Sequence, residues 1–274
     1  MVTKASICFL VCAALSYLGL QKCKKQKVRP LLQTYAQAHF DATAAQKPVI
    51  LWDIHGVILQ GSHGRVLQGW WQCDKKREIL GNSSLSMSKD IIAGLWRVMT
   101  TGATGDEFRA IARAHNNHAL ASLIVDIAND QSIVPDVASL IMDLNRHGYR
   151  QHIGSNIGES IFADLCTRPV MQSTFNNSIF DFEASQVVTY DASNPGSVLK
   201  KPDLAFYRTY LAKNNLAADQ VIFIDDNYQN VIAAQQVGMY ALYFKNAHQL
   251  RTDLEQLLGL AQHAQSQAQL SLEA

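Results

Sequence analysis

The sequence predicts an α/β fold: a parallel sheet flanked by helices, interrupted after its first strand by a helical insertion and preceded by an apolar segment. Three observations predict it. Short runs of β-forming residues alternate with helical patterns from residue 134 onward, which is the order of βαβ units with right-handed crossovers. One further run, VILW at 49–52, stands apart from the rest and ends at Asp53 and Gly56. The polar residues that close these runs, namely Asp53, Ser155, Asn156, Asp225 and Asp226, fall at carboxyl ends of strands, where parallel sheets bind ligands.

The chain has 274 residues, 48% of them apolar and 17% charged. That is enough for one large domain, or for a core domain with a small accessory one. A formal net charge of +1 provides no basic field to gather nucleic acid, and no nucleic-acid partner is expected. The five cysteines, Cys8, Cys12, Cys23, Cys73 and Cys166, show no CxxC spacing. This argues against a zinc site or a disulfide framework and fits reduced thiols.

Residues 5–20 carry no charge, and Lys22, Lys24, Lys25 and Lys27 follow them. The run is short for a membrane span, which needs about 17–25 residues. No Ala-x-Ala-like cleavage site precedes the lysines, and the positive charge lies mainly after the run. That asymmetry favours a single anchor with the rest of the chain in the cytoplasm. A cleaved signal, with a secreted or periplasmic product, and a buried helix are the alternatives.

The remaining elements follow in order. Residues 28–47 form an alanine-rich connector. VILW, preceded by Pro48, is a buried strand. Between 60 and 134 apolar residues recur at helical spacing, as in Ile91, Leu95 and Val98, and the segment contains several helices and no clear strand. PDVASLIMDLNRHGY is a helix with a proline start and a stop at Gly148. RQHIGSN is a strand, Ile161 opens another helix, SQVVTY is a strand, and PDLAFYRTYLAKN is a helix with proline in its first turn. QVIFIDD is a strand ending in two carboxylates, Asn230 to Val237 a helix closed by Gly238, and YALYF the last strand. The tail from Gln262 is Gln- and Ala-rich and is expected to be frayed.

The clustered polar residues suit phosphoryl transfer. Asp53, Asp225 and Asp226 repel one another unless a hard cation joins them, and Mg²⁺ takes a few carboxylates, waters and phosphate oxygens. Ser155 and the backbone N–H of Asn156 are donors, and Lys201 neutralises phosphate charge at a helix start. The bland alternatives are specific. Asp225 and Asp226 could cap a helix beginning near Asn227, Ser155 and Asn156 could form an ordinary turn, and Lys201 could be solvated. Trp70, Trp71 and Trp96 fit packing of the insertion better than substrate stacking. His63, His115, His118 and His152 show no ligand spacing and count as surface or packing residues.

WDIHGVI, IGSN, LKKPD and FIDDNYQNVIAAQQVG, in this order, resemble the four motifs of the haloacid dehalogenase (HAD) superfamily, a Rossmann-like α/β group. The nearest likeness is to the subgroup with an α-helical cap between the first two motifs, which includes sugar-phosphate and nucleotide phosphatases. The resemblance covers roughly residues 48–245. It implies Asp53 as the nucleophile forming an aspartyl phosphate, Ser155 and Asn156 as phosphate-binding residues, and Lys201 as the third-motif lysine. Asp225 and Asp226 would hold Mg²⁺ with Asp53 and the backbone carbonyl of His55. The departure is His55, where family phosphatases carry an aspartate acid/base. Histidine can serve both roles near neutral pH, but it also admits a slower or lost turnover.

The expected organisation is an anchor or signal at 1–27, a core of 28–60 and 135–260, a helical cap at 61–134 and a disordered tail at 261–274. The expected function is a Mg²⁺-dependent phosphatase of a small phosphorylated metabolite. A dehalogenase- or phosphonatase-like hydrolase and a catalytically impaired phosphate-binding module are the alternatives. Aspartate is also missing at the His55 position in the family's dehalogenases, but these do not need the Asp225–Asp226 pair.

Overall fold

The structure, a computed structural model, describes residues 47–61, 131–188 and 198–259, together with positions 110, 113, 114 and 116. The apolar N-terminal run, most of the expected cap and the Gln-rich tail lie outside the described residues.

In chain order the described elements are β1 (Val49–Trp52), β2 (Leu59–Gly61), β3 (Gln131–Ile133), α1 (Pro135–Arg146), β4 (Gln151–Gly158), α2 (Glu159–Thr167) and α3 (Pro169–Gln172). They continue with β5 (Gln186–Val188), α4 (Leu204–Asn214), a 3-10 turn (Ala218–Gln220), β6 (Val221–Asp225), α5 (Tyr228–Val237), β7 (Tyr240–Tyr243) and α6 (Ala247–Leu258). Five strands form one parallel sheet in the order β5-β4-β1-β6-β7. From β1 the chain runs outward through β4 and β5 on one side, then returns to β6 and β7 on the other. The crevice of such a sheet lies where the strand order reverses, which here is the carboxyl end of β1.

The strand sequences account for both layers of the core. VILW is buried throughout, because a central parallel strand is covered on both faces. Alternate residues point to opposite sides. Ile50, Trp52, Ile222 and Ile224 join a cluster with Val137, Leu140 and Leu144 of α1 and Leu250, Leu254 and Leu258 of α6. Leu51, Val221 and Phe223 join Phe206, Tyr207 and Tyr210 of α4 and Val231 and Ala234 of α5. Each fully buried large side chain contributes about 1.5–3 kcal/mol, so both helical layers are fixed by the sheet's pleat. Trp52 Nε1 donates to Gln151 Oε1 at 3.1 Å, and Gln151 Nε2 donates to the Ile141 carbonyl at 3.0 Å. These bonds tie β1, β4 and α1 together at the polar atoms that burial would otherwise strand.

The helix boundaries follow local chemistry. Pro135 starts α1, where its missing N–H costs nothing. The Asn227 side chain accepts from the Gln229 N–H and caps α5. Gly238 ends α5 in the left-handed region at φ 98°, a conformation that glycine adopts without strain.

Two sequence expectations differ from the structure. The first is the membrane anchor with a cytoplasmic catalytic domain. Among the described residues no helix is long and apolar enough to cross a membrane, and the apolar run at 5–20 is itself shorter than the about 20 residues a spanning helix needs. The second is the segment read as free of strands. Its two ends, β2 and β3, pair antiparallel, with Leu59 opposite Ile133 and Gly61 opposite Gln131. LQG and QSI are too short to show a period of two. Of the two readings the sequence left for His152, surface or packing, the structure shows packing. His152 is a buried residue of β4 whose Nδ1 bonds the Tyr210 hydroxyl at 2.7 Å, and its Nε2 is buried with no partner among the described residues.

Candidate active site

The register of the sheet assembles the site. Trp52 pairs with Ile153 on one side and Ile224 on the other. The next residues therefore bring Asp53 beside Asp225, with Ser155 in the neighbouring β4, where its register with β5 shifts. The Asp53 N–H donates to the Ile224 carbonyl at 2.9 Å, so the chain is still held in the sheet where the carboxylate begins.

Three donors converge on Asp53 Oδ1: the Ser155 hydroxyl at 2.8 Å, the Ile54 N–H at 2.7 Å and the Lys201 ammonium at 2.9 Å. Lys201 Nζ also reaches Asp225 Oδ2 at 2.7 Å. The ammonium thus bridges two strand tips while 3% exposed. Burial disfavours its charge, but Asp225 and then Asp53 outweigh that and hold Lys201 above the usual lysine range. Its ammonium lies over the Phe223 ring, with Nζ 5.3 Å from the centroid.

Asp225 is fully buried. Burial pushes its carboxyl up to about 7, and the Asp53 charge adds to this, although Lys201 pulls in the opposite direction. The physical cause is plain. One ammonium faces two buried carboxylates, with Asp226 close by, and the site carries excess negative charge. Carboxylate oxygens of Asp53, Asp225 and Asp226 lie within 4.8 Å of one another. This all-oxygen set suits a hard divalent cation, and the excess charge is what such a cation would relieve.

Asp226 is placed by Gly56. The loop after β1 turns through Gly56 at φ +88°, and an added Cβ there would lie 2.1 Å from Asp226 Oδ2. Only a residue without a side chain fits under that carboxylate. The same loop places His55, whose Nδ1 bonds Gln131 Oε1 at 2.7 Å.

The structure brings Asp53, Ser155, Lys201, Asp225 and Asp226 to one sheet edge, with His55 two residues along the loop. Asn156 has a further part, through its side chain. Its Nδ2 donates to the Lys201 carbonyl and its Oδ1 accepts from the Lys201 N–H, both at 2.8 Å. This two-point clamp fixes the backbone that carries the ammonium. Lys201 itself precedes α4, which begins at Leu204.

Sequence reasoning missed Asn230, Gly56 and Gln131 as parts of the site. Asn230 Nδ2 donates to Asp225 Oδ1 at 3.1 Å and Oδ2 at 3.0 Å, and the Asn227 N–H donates to Oδ1 at 2.7 Å. The available signal was spacing. Asn230 lies five residues after Asp225, in the first turn of the helix leaving that strand, and so faces back towards the strand tip.

No protein-family model matches the sequence. A stretch of 61 residues, 22% of this chain, is 43% identical to the sesquiterpene phosphatase astK of Aspergillus oryzae and covers 31% of that protein. A stretch of the same length is 34% identical to the drimenol cyclase drtB of Aspergillus calidoustus and covers 12% of it. Among solved structures, a HAD family enzyme from Bacteroides thetaiotaomicron is similar over 73% of this chain and 94% of its own, with a TM-score of 0.51 and 15% identity. The chain has the α/β core fold of the HAD enzymes. Within that fold, the residues at its strand tips are those that the sequence motifs single out.

Proposed function

We propose that this protein is a Mg²⁺-dependent phosphatase of HAD type that hydrolyses a small phosphomonoester through an aspartyl phosphate on Asp53. The observation that carries the proposal is the convergence of Ser155, Lys201 and the Ile54 N–H on one oxygen of a carboxylate at the sheet's switch point. Donors so placed orient the carboxylate for in-line attack and meet the charge that develops on a phosphoryl group.

Asp53, Asp225 and Asp226 would hold Mg²⁺ together with the His55 carbonyl. When bound, Mg²⁺ would neutralise phosphate charge and draw the phosphoryl group towards Asp53. An Asp53 oxygen forms the new bond to phosphorus as the bond to the leaving oxygen breaks, and His55 supplies that oxygen with a proton. A water then attacks phosphorus, the bond to Asp53 breaks, and His55 takes the water's proton. Ser155 and Lys201 hold the transferring group, Asn156 holds Lys201, and Asn230 holds Asp225.

The segment 61–134 is proposed as the cap, inserted between the paired strands β2 and β3, whose ladder would serve as its stem. The name of the Aspergillus oryzae relative makes terpenyl phosphates the first compounds to test.

The test is phosphate release from a panel of phosphomonoesters, including farnesyl phosphate and sugar phosphates, with Mg²⁺ and with excess chelator. Release that requires Mg²⁺ is expected. Equal release in chelator would contradict the metal assignment, and halide release from added 2-haloacids with no phosphate release from the esters would support the dehalogenase alternative.

A further inference from the structure

We infer that Tyr207 is a positioning residue of the site: its hydroxyl holds the residue that orients Asp225, and its ring supports the aromatic face over which Lys201 lies. The inference rests on the phosphatase reading for what Asp225 and Lys201 do, whereas the contacts stand on geometry alone.

Tyr207 belongs to α4 and is fully buried. A buried phenol needs an acceptor, and this one donates to the Asn230 carbonyl of α5 at 2.8 Å. Asn230 is the residue whose side-chain Nδ2 donates to both oxygens of Asp225, at 3.1 Å and 3.0 Å. The near equality of the two distances means that the amide straddles the carboxylate. A small shift of the first turn of α5 would favour one oxygen and turn the carboxylate, which presents Oδ2 to Lys201 and Oδ1 to the Asn227 N–H. The Tyr207 hydroxyl opposes that shift, because it bonds the backbone of the residue that carries the amide.

The ring reaches the other half of the same ion pair. It meets the Phe223 ring edge to face, with centroids 5.5 Å apart and planes at 76°, and the Lys201 ammonium lies over that Phe223 ring. Phe206 packs edge-on against Tyr207 at 5.4 Å and restrains it further. Lys201 itself lies just before α4, the helix that carries Tyr207. The contacts therefore close a loop: Lys201 to Asp225, Asp225 to Asn230, Asn230 to Tyr207, and back along α4 to Lys201. A buried network whose members are satisfied in this way is rigid. Tyr210, further along α4, supplies the contrast. It is equally buried, but its hydroxyl bonds His152 Nδ1 at 2.7 Å, and His152 pairs with Leu51 inside the sheet rather than at a strand tip.

The experiment compares full-length wild type with Tyr207→Phe and Tyr210→Phe, each of which removes one buried hydroxyl from α4 and keeps the ring. Two quantities are read: turnover of p-nitrophenyl phosphate with Mg²⁺, and hydrogen exchange of the Asn230 side-chain amide in metal-free buffer, followed by NMR and assigned with Asn230→Ala. In Tyr207→Phe, kcat should fall roughly 10-fold or more with KM changed less than about twofold, because a misplaced group loses that much. The Asn230 amide should exchange about threefold to tenfold faster, the worth of one hydrogen bond. Tyr210→Phe should lower the melting temperature to a similar extent and leave kcat and the Asn230 exchange within about twofold of wild type, as expected for an independent site. Wild-type exchange at Asn230 in Tyr207→Phe would overturn the inference, whatever the turnover, and leave the phosphatase reading intact. Faster exchange with wild-type turnover would overturn the link to the chemistry, and equal effects in both variants would reduce it to a general loosening of α4 and overturn it too. A wild type inactive on every phosphomonoester, with exchange altered only in Tyr207→Phe, would support the positioning and overturn the phosphatase reading.

Discussion

The Lys201 ammonium stands 2.9 Å from Asp53 Oδ1, the oxygen that also receives the Ser155 hydroxyl and the Ile54 N–H. Both groups are buried, and the same ammonium bonds Asp225 at 2.7 Å. One cation thus joins two strand tips. Replacing it with Met keeps most of the volume and leaves two buried carboxylates facing each other. Lys201→Met should lose about 3–5 kcal/mol of stability in metal-free buffer, the usual cost of stranding a buried charge. Chemical denaturation measures this, and a loss below about 1 kcal/mol would contradict the bridging role.

Gly56→Ala should damage the site more than the fold. The backbone at φ +88° disfavours alanine, and the new methyl would collide with the Asp226 carboxylate. A stability loss of about 1 kcal/mol or more is expected from the backbone alone. Displacement of Asp226 should weaken Mg²⁺ binding and lower turnover by on the order of 10-fold or more. Calorimetric titration with Mg²⁺ checks the first effect. Wild-type affinity in the variant would show that Asp226 is not a ligand.

Mg²⁺ should also stabilise the folded chain directly. At a concentration 100 times its dissociation constant it should add about 2.7 kcal/mol, seen as a rise in melting temperature without any substrate. Asp226→Asn should abolish most of that rise while leaving the metal-free melting temperature close to wild type. An equal rise in both proteins would place the metal elsewhere.

His152 sets a pH dependence separate from the chemistry. Burial, aided by Arg150 and Lys213 and opposed by Asp181, holds its pKa down at about 4, against 6.5 for an exposed ring. The unfolded chain therefore binds the extra proton first as pH falls. The stability associated with a neutral His152 is fully present above about pH 6.5 and is lost as pH falls towards 4, by on the order of 3 kcal/mol. His152→Gln should remove that part of the slope. Because Asp225 and the other carboxylates titrate in both proteins, the difference between their denaturation curves isolates His152. Parallel curves from pH 7 to 4 would contradict the assignment.

The sheet was legible in the sequence because its strands are apolar and end abruptly in acids or amides. VILW before Asp53 and VIFI before Asp225 mark the two central strands, and the clustering of polar residues at their carboxyl ends follows from parallel topology. Helix stops at Gly148 and Gly238 were legible as well, since both sit at positive φ. The supporting contacts were not. Asn156 holds a backbone segment 45 residues away, Asn230 reaches back to a strand tip, and Gln131 meets His55 across a separation of 76 residues. Such contacts depend on register and on loop course, which periodicity does not encode. His152 was legible only as a surface or packing residue, because a histidine within a short apolar strand has no sequence signal separating the two.

The central claim is that Asp53 attacks phosphorus. Asp53→Asn keeps the volume of the side chain and its place among Ser155, Lys201 and Ile54, and loses the nucleophile. The direct measurement is Mg²⁺-dependent phosphate release by wild type and Asp53→Asn on the best phosphomonoester found, with quenched reactions digested to find phosphate on the peptide containing Asp53. The expected result is turnover with a trapped phosphopeptide in the wild type, and neither in a folded Asp53→Asn. Phosphate release by Asp53→Asn at a similar rate would contradict the covalent mechanism and the site built around it.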